Sequence, residues 1–330
     1  MKHLHSKPNP PAAYGAALLL LGLSLLLGMA WGATTLDFGA LSDPASADAL
    51  IFRYARLPRV LGSALCGGAL AVSGAVIQGV LANRLASPSI IGVNAGAGLA
   101  VTVAAVCGIA GGWQLSLLAF TGAFAAVMAV SLGAKKWGAS RGTVILMGVA
   151  LNSLLGALSD GITALHPEAA ISRSAFRMGD FSAVTYPKLI PAGAVILLSI
   201  LLLQTLSSEL DVLALGDDCA KGLGMNTTLT RTLLLLLSAA LAGAAVSMAG
   251  LLSFVGLLIP HALRRMGWRE ARHLIPLCAL LGGGFVSLCD TLSRTLFAPY
   301  ELPVGILLAF LGAPCFLAIL LKGKGGKANA

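Results

Sequence analysis

The sequence predicts an all-α integral membrane protein with about ten transmembrane helices. Three observations carry this expectation. Of the 330 residues 57% are hydrophobic, mean hydropathy is +0.90, and only 11% are Asp, Glu, Lys or Arg. Apolar runs repeatedly reach the ~20 residues that a helix needs to cross the hydrocarbon core. None alternates apolar with polar at a period of two, as a spanning barrel would, and lipid tolerates only helices or closed barrels. The 40 glycines suit close helix packing in a membrane.

In chain order, spans are expected at roughly 13–33, 57–80, 90–110, 114–133, 143–164, 189–206, 229–249, 251–266, 273–296 and 304–321. The first follows MKHLHSKPNPP and resembles a signal peptide, but its apolar run is long for one, which favours a retained span. The eighth is short and contains Pro260, so a broken helix is expected. With the N-terminus inside, the interior loops hold 15 of the 22 Lys and Arg, from Lys2 and Lys7 to Lys327, and the exterior holds 7. The positive-inside rule then puts both termini in the cytoplasm. Two exterior segments, 34–56 and 165–188, are long enough to carry function. The chain reads as one transmembrane domain over 1–330, with a cytoplasmic segment at about 207–230.

The net charge of +9 is scattered over short loops, which argues against nucleic acid as a partner and leaves the lipid bilayer as the obvious one. No pair of the six cysteines has CxxC spacing, and five lie in apolar runs. They read as small buried residues, with no metal and no cofactor expected.

The polar segment SSELDVLALGDDCAKGLGMNTTLT, Ser207 to Thr230, stands out between two apolar runs. Its charges cannot lie in hydrocarbon, where each costs roughly 2.5–3.5 kcal/mol. It is too short for a core of its own. Two short helices are expected, the first stopped by Gly216, the second capped by Asp217 and ending at Gly222-Leu223-Gly224. Spacing alone fits a docking knuckle and an ordinary solvated loop equally.

Two blocks narrow the reading. The first is RLPRVLGSALCGGALAVSGAVIQGVLANRLASPSIIGVNAGAG from Arg56; the second runs from Gly250 through FVGLLIPHALRR, LCDTLSR and ELPVGILLAFLGAPCFLAILL. With LALGDDCAKGLG between them, these resemble the permease subunits of binding-protein-dependent ABC importers of the iron-siderophore, haem and cobalamin type. The resemblance covers nearly the whole chain from Arg53 and implies the ten-span fold of the cobalamin permease. It also implies a second permease subunit, in a homodimer, two ATP-binding subunits and an extracytoplasmic substrate-binding protein. The cargo expected is an iron complex, a ferric siderophore or haem, with cobalamin as the alternative.

The same resemblance assigns residues. Leu213, Leu215, Gly216, Asp217, Asp218, Ala220, Leu223 and Gly224 would form the helices that couple to the ATP-binding subunit. The chain has no GxxxxGK[ST] phosphate loop, so ATP would be bound by that partner and no enzymatic activity is expected of this chain. Asn83 and Leu85 would belong to a cytoplasmic gate, although Arg84 stands where the family usually has proline. Arg56, Arg59 and Arg294, with Arg53 as a weaker fourth, would meet carboxylates of the binding protein, since a planar guanidinium pairs a carboxylate bidentately.

Independently of the resemblance, Asp160, Asp290 and His261 stand out within or beside the spans. Asp290 and Arg294 are spaced to pair on one helix. Asp160, near the outer end of the fifth span, has no obvious sequence partner and would face a pathway or reach the interface. His261, after Pro260, reads as a packing and hydrogen-bonding residue rather than a haem ligand. Gly67, Gly68 and Gly74 keep the second span slim, and Gly305, Gly312 and Pro314 shape the last. An intramembrane enzyme fits poorly: Ser73-Gly74 lacks a GxSG context, and HExxH and GxGD are absent. An ion-coupled carrier would lean on Asp160 and Asp290 and would not need the knuckle.

Overall fold

The computed structural model describes residues 10–34, 37, 39–109, 111–136 and 141–324. Lys2, Lys7 and Lys327 of the charge count lie outside them. Every regular element among the described residues is helical. In chain order these are α1 (Pro10–Ala30), α2 (Ala47–Ile51), α3 (Leu57–Val80), α4 (Val93–Val106), α5 (Gly112–Lys136), α6 (Arg141–Leu165) and α7 (Ala169–Met178). There follow α8 (Tyr186–Thr205), α9 (Ser207–Leu215), α10 (Asp217–Gly222), α11 (Thr227–Ala249), α12 (Val255–Arg265), α13 (Ala271–Thr295) and α14 (Val304–Lys324). Each of the ten expected spans meets a helix, and among the described residues seven helices are long and apolar enough to cross a membrane.

Helix α3 is the axis of the bundle. Nearly all of it is buried, and α13, α11, α12 and α8 pack around it. The packing depends on missing side chains. A Cβ at Gly67 would collide with the carbonyl of Gly282 on α13, and one at Gly74 with the carbonyl of Gly256 on α12. Where lipid and side chain are equally apolar, such backbone contact supplies the dispersion that holds helices together. The first span belongs to the same bundle: α1 runs along α13, and the Tyr14 hydroxyl lies 3.2 Å from His273 Nδ1.

Two departures from expectation have local causes. The second span starts ten residues early, because Ser46 caps α2 (Ala49 N–H donates to Ser46 Oγ, 3.2 Å) and the helix continues into α3. The junction is a widened turn in which Leu57 N–H donates to Phe52 O. It comes one residue before Pro58, which cannot donate at all. The third and eighth spans are shorter than drawn. Helix α4, at 14 residues, and α12, at 11, would measure only about 21 and 17 Å. Each is preceded by irregular chain, ending at Gly92 (φ 100°) and Phe254 (φ 65°). Backbone of this kind at membrane depth must be covered by protein or line a cavity. Phe254 is covered: its ring occupies the space left by Gly312 of α14.

The cysteine expectation needs correction. Cys66, Cys278 and Cys289 are buried, but Cys107, Cys219 and Cys315 are exposed. Cys219 lies in the polar segment; for Cys107 and Cys315, an apolar run is apolar for lipid or a neighbouring protein as well as for its own core, so a residue within it need not face inward.

Candidate functional site

Three constellations stand at defined places in the bundle: a helical knuckle at one end, a charge network at the opposite end, and a cavity beside α7.

The knuckle is α9 and α10. Gly216, at φ 131°, breaks the two helices apart, as its position in the sequence indicates. Leu210 and Leu213 are buried, and Leu210 fits the space left by Gly79 at the end of α3. Asp217 is not the cap that the sequence suggested; Gly216 holds that position and makes no side-chain bond. Instead the Asp217 carboxylate is clamped between two guanidiniums. Arg231 Nη2 donates to both its oxygens, at 2.7 and 2.6 Å, and Arg141 Nη2 lies 3.1 Å away while also donating to Leu213 O at 2.6 Å. Partial burial pushes this carboxyl up, but the bond and charge of Arg231 and the charge of Arg141 hold it below its ordinary value. On the other flank Asp211 accepts from Ala271 N–H at 3.0 Å, capping α13 from outside the helix. Burial pushes the Asp211 carboxyl up.

The knuckle is therefore bolted to α3, α6, α11 and α13 while one face stays free. Leu215 and Leu223 are each 71% exposed, with Asp218, Cys219, Lys221 and Gly224 exposed around them. Of the eight residues expected to couple, Leu213 and Ala220 point inward, so they support the surface and do not form it. At the same end Asn83 closes a turn, its Oδ1 accepting from Leu85 N–H at 2.9 Å, and Leu85 is half exposed. Sequence reasoning missed Arg264, which donates to Ala75 O (3.0 Å) and to Gln78 Oε1. Gln78 in turn reaches Gly256 O at 3.0 Å and pins α12 to α3. His261 stacks edge-on against Phe316, with ring centroids 6.4 Å apart.

At the opposite end the docking expectation for Arg56, Arg59 and Arg294 is corrected. All three are buried within this chain. Arg59 Nε donates to Asp290 Oδ1 at 3.1 Å and Nη1 to Glu301 Oε2 at 2.6 Å; its Nη2 lies 3.6 Å from Asp180. Arg294 Nε closes the local pair, 3.1 Å from Asp290 Oδ2. Arg56 donates to the carbonyls of Met29, Ala30 and Thr34, and Arg294 to those of Trp31 and Gly28. The reason is twofold. Asp290, wholly inaccessible, must be paired to be tolerated. The last carbonyls of α1 also need donors, and α1 has no basic residue in its last turn. Asp160 is exposed and meets a partner that sequence spacing does not show, Arg173 Nη1 at 2.7 Å, thirteen residues on. Only chain folding brings these two together, since α6 and α7 are joined by a turn.

The cavity, about 560 Å³, lies among α6, α7, α14 and the irregular stretch before α12. Its wall is fixed by backbone bonds: Leu251 N–H donates to Phe176 O at 2.9 Å, Asp180 N–H to Ala249 O at 2.8 Å, and Gly305 N–H to Gly179 O at 3.1 Å.

A helical bundle with many membrane-crossing helices, a rigidly mounted polar knuckle and a cavity between helices describes a transport permease. The comparisons agree. The model of the FecCD transport family matches residues 16–322, and the chain belongs to that family, whose members are permease subunits of ABC transporters. The hemin transport system permease protein HmuU of Yersinia pestis is 36% identical, over 97% of this chain and 98% of its own. The vitamin B12 import system permease protein BtuC of Klebsiella pneumoniae subsp. pneumoniae is 33% identical over 98% of each. A solved inward-facing conformation of a metal-chelate type ABC transporter superposes with a TM-score of 0.86 at 30% identity, covering 95% of this chain and 100% of that one.

Proposed function

We propose that this chain is the permease of an importer that moves an iron complex, a ferric siderophore or haem, into the cytoplasm. ATP is hydrolysed on two partner subunits, and an extracytoplasmic binding protein delivers the cargo. Family membership supports the importer class, and the relative named for hemin transport supports the cargo. The similarly long match to the vitamin B12 permease keeps cobalamin as the second reading.

The observation that carries the coupling role is the knuckle, with Leu215 and Leu223 exposed on a mount held by Arg141, Arg231 and Asp211. Two leucines held out beside Asp218 and Lys221 suit a groove on an ATP-binding subunit. A push there reaches four long helices directly. Two copies of the chain form the pathway, both termini lie in the cytoplasm, and Asn83 and Leu85 border the inner gate. Of the four arginines expected to dock, Arg56, Arg59 and Arg294 are consumed internally, which leaves Arg53, exposed at the far end, to meet the binding protein.

The test is binding of ferric siderophores, haem and cobalamin to the partner binding protein, followed by intrinsic fluorescence. Selective binding of one ferric chelate or of haem is expected. Selective binding of cobalamin would replace the cargo and leave the permease reading standing.

A further inference from the structure

The cavity beside α7 has a charge pattern that the transport role does not by itself require. Its charged lining residues are both arginines, Arg173 and Arg177, one turn apart on α7, with Ser174, Thr163 and Ser253 adding hydroxyls. Like charges one turn apart on a helix face repel, so their common direction calls for a counter-charge. Arg173 has one. It pairs with Asp160 at 2.7 Å and donates to Thr163 Oγ1 at 3.3 Å. Arg177 has none: among the described residues it makes no ion pair and no hydrogen bond, and it is exposed to the cavity it lines. The helix that carries both is not a loose loop. Its end is tied by backbone bonds to Leu251 and, through Gly179, to Gly305. At Gly305 a Cβ would collide with the carbonyl of Met178.

We propose that this cavity is a subsite for the carboxylate groups of an anionic cargo, with Arg177 as the binding guanidinium and Arg173 and Ser174 beside it. The inference rests on the importer reading and deepens it by naming the charge class of the cargo. A planar guanidinium with free donors takes a carboxylate bidentately. The volume suits a group of chelate size. The Asp160–Arg173 pair holds the neighbouring arginine in place and leaves one net positive charge at the mouth. A cargo without carboxylates gains nothing from Arg177.

The experiment uses the full complex, with its ATP-binding subunits and binding protein, in proteoliposomes. Initial uptake is measured for two carboxylate-bearing probes, haemin and ferric citrate, and two without carboxylates, ferrichrome and cyanocobalamin. The wild type is expected to import a carboxylate-bearing probe. Arg177→Gln is expected to lower that uptake about tenfold or more at subsaturating cargo, the loss of one charge-assisted pair. Arg177→Lys should keep part of it, and Lys188→Gln, which removes a charge on α8 outside the cavity, should match the wild type. Import restricted to ferrichrome or cyanocobalamin overturns the subsite and leaves the importer intact. So does uptake of the anionic probe that ignores Arg177→Gln. A deficit that follows anionic lipid content rather than cargo charge, or that lies wholly in binding-protein affinity, also overturns it. Failure of the wild type to import any probe on ATP removes the importer reading and the subsite with it.

Discussion

Asp290 shows how one residue organises a membrane interior. It is inaccessible, yet two guanidiniums reach it, from Arg59 on α3 and Arg294 on its own helix. A buried ion pair adds little over a well-packed apolar pair, but breaking it leaves a charge without a partner. Asp290→Ala is therefore expected to destabilise the fold by about 3–5 kcal/mol, measured as a fall in the denaturant midpoint of purified protein. Asp217, on the knuckle, makes a different prediction because it is partly solvated and pH can reach it. Its folded carboxyl titrates below its ordinary value. Its contribution is therefore complete above the unfolded value of about 3.9 and is lost as pH falls through the lower folded one. The gap in thermal midpoint between wild type and Asp217→Asn should be full near neutrality and should close only in acid. The sequence showed the Asp290–Arg294 spacing but not Arg59, 231 residues away, and its outward reading of the arginines failed for that reason. Charge sign and span end are visible in a sequence; the buried acid that claims the charge is not.

Among the elements, α3 was the most legible, because a slim face leaves a mark that composition retains. Gly67 and Gly74 mark a slim face in the sequence, and each does meet a neighbouring backbone. Gly74→Leu should therefore force α12 away from α3. A loss of about 1–3 kcal/mol or more is expected in unfolding, whereas Gly15→Leu, with nothing within 4 Å, should be silent. The short helices α4 and α12 were less legible. Their apolar runs continue through turns that a hydropathy window cannot separate from helix, and their breaks at Gly92 and Phe254 depend on tertiary cover. The knuckle lies between these cases. Its Gly216 break followed from local chemistry, while the Arg141 and Arg231 clamp on Asp217 joins the starts of two distant helices and left no pattern in the local sequence.

For the whole molecule, sidedness and the source of energy are both open to measurement. Native cysteines report the first. Helices α3 and α4 run to and from the knuckle end, so Cys107, closing α4, lies at the end opposite Cys219 on α10, and both are exposed. In intact cells an impermeant maleimide should label a variant keeping only Cys107 and spare one keeping only Cys219; the reverse pattern would invert the topology. The energy claim is tested most directly by purifying the chain from cells that co-express its ATP-binding partner, with and without Leu215→Asp/Leu223→Asp. The wild type should carry that subunit in stoichiometric amount and import on ATP. The double variant should remain folded in the membrane but lose both the subunit and ATP-driven import. A variant that retains the subunit, or a wild-type chain that purifies alone and transports on a proton gradient, would rule out ATP-driven coupling through the knuckle.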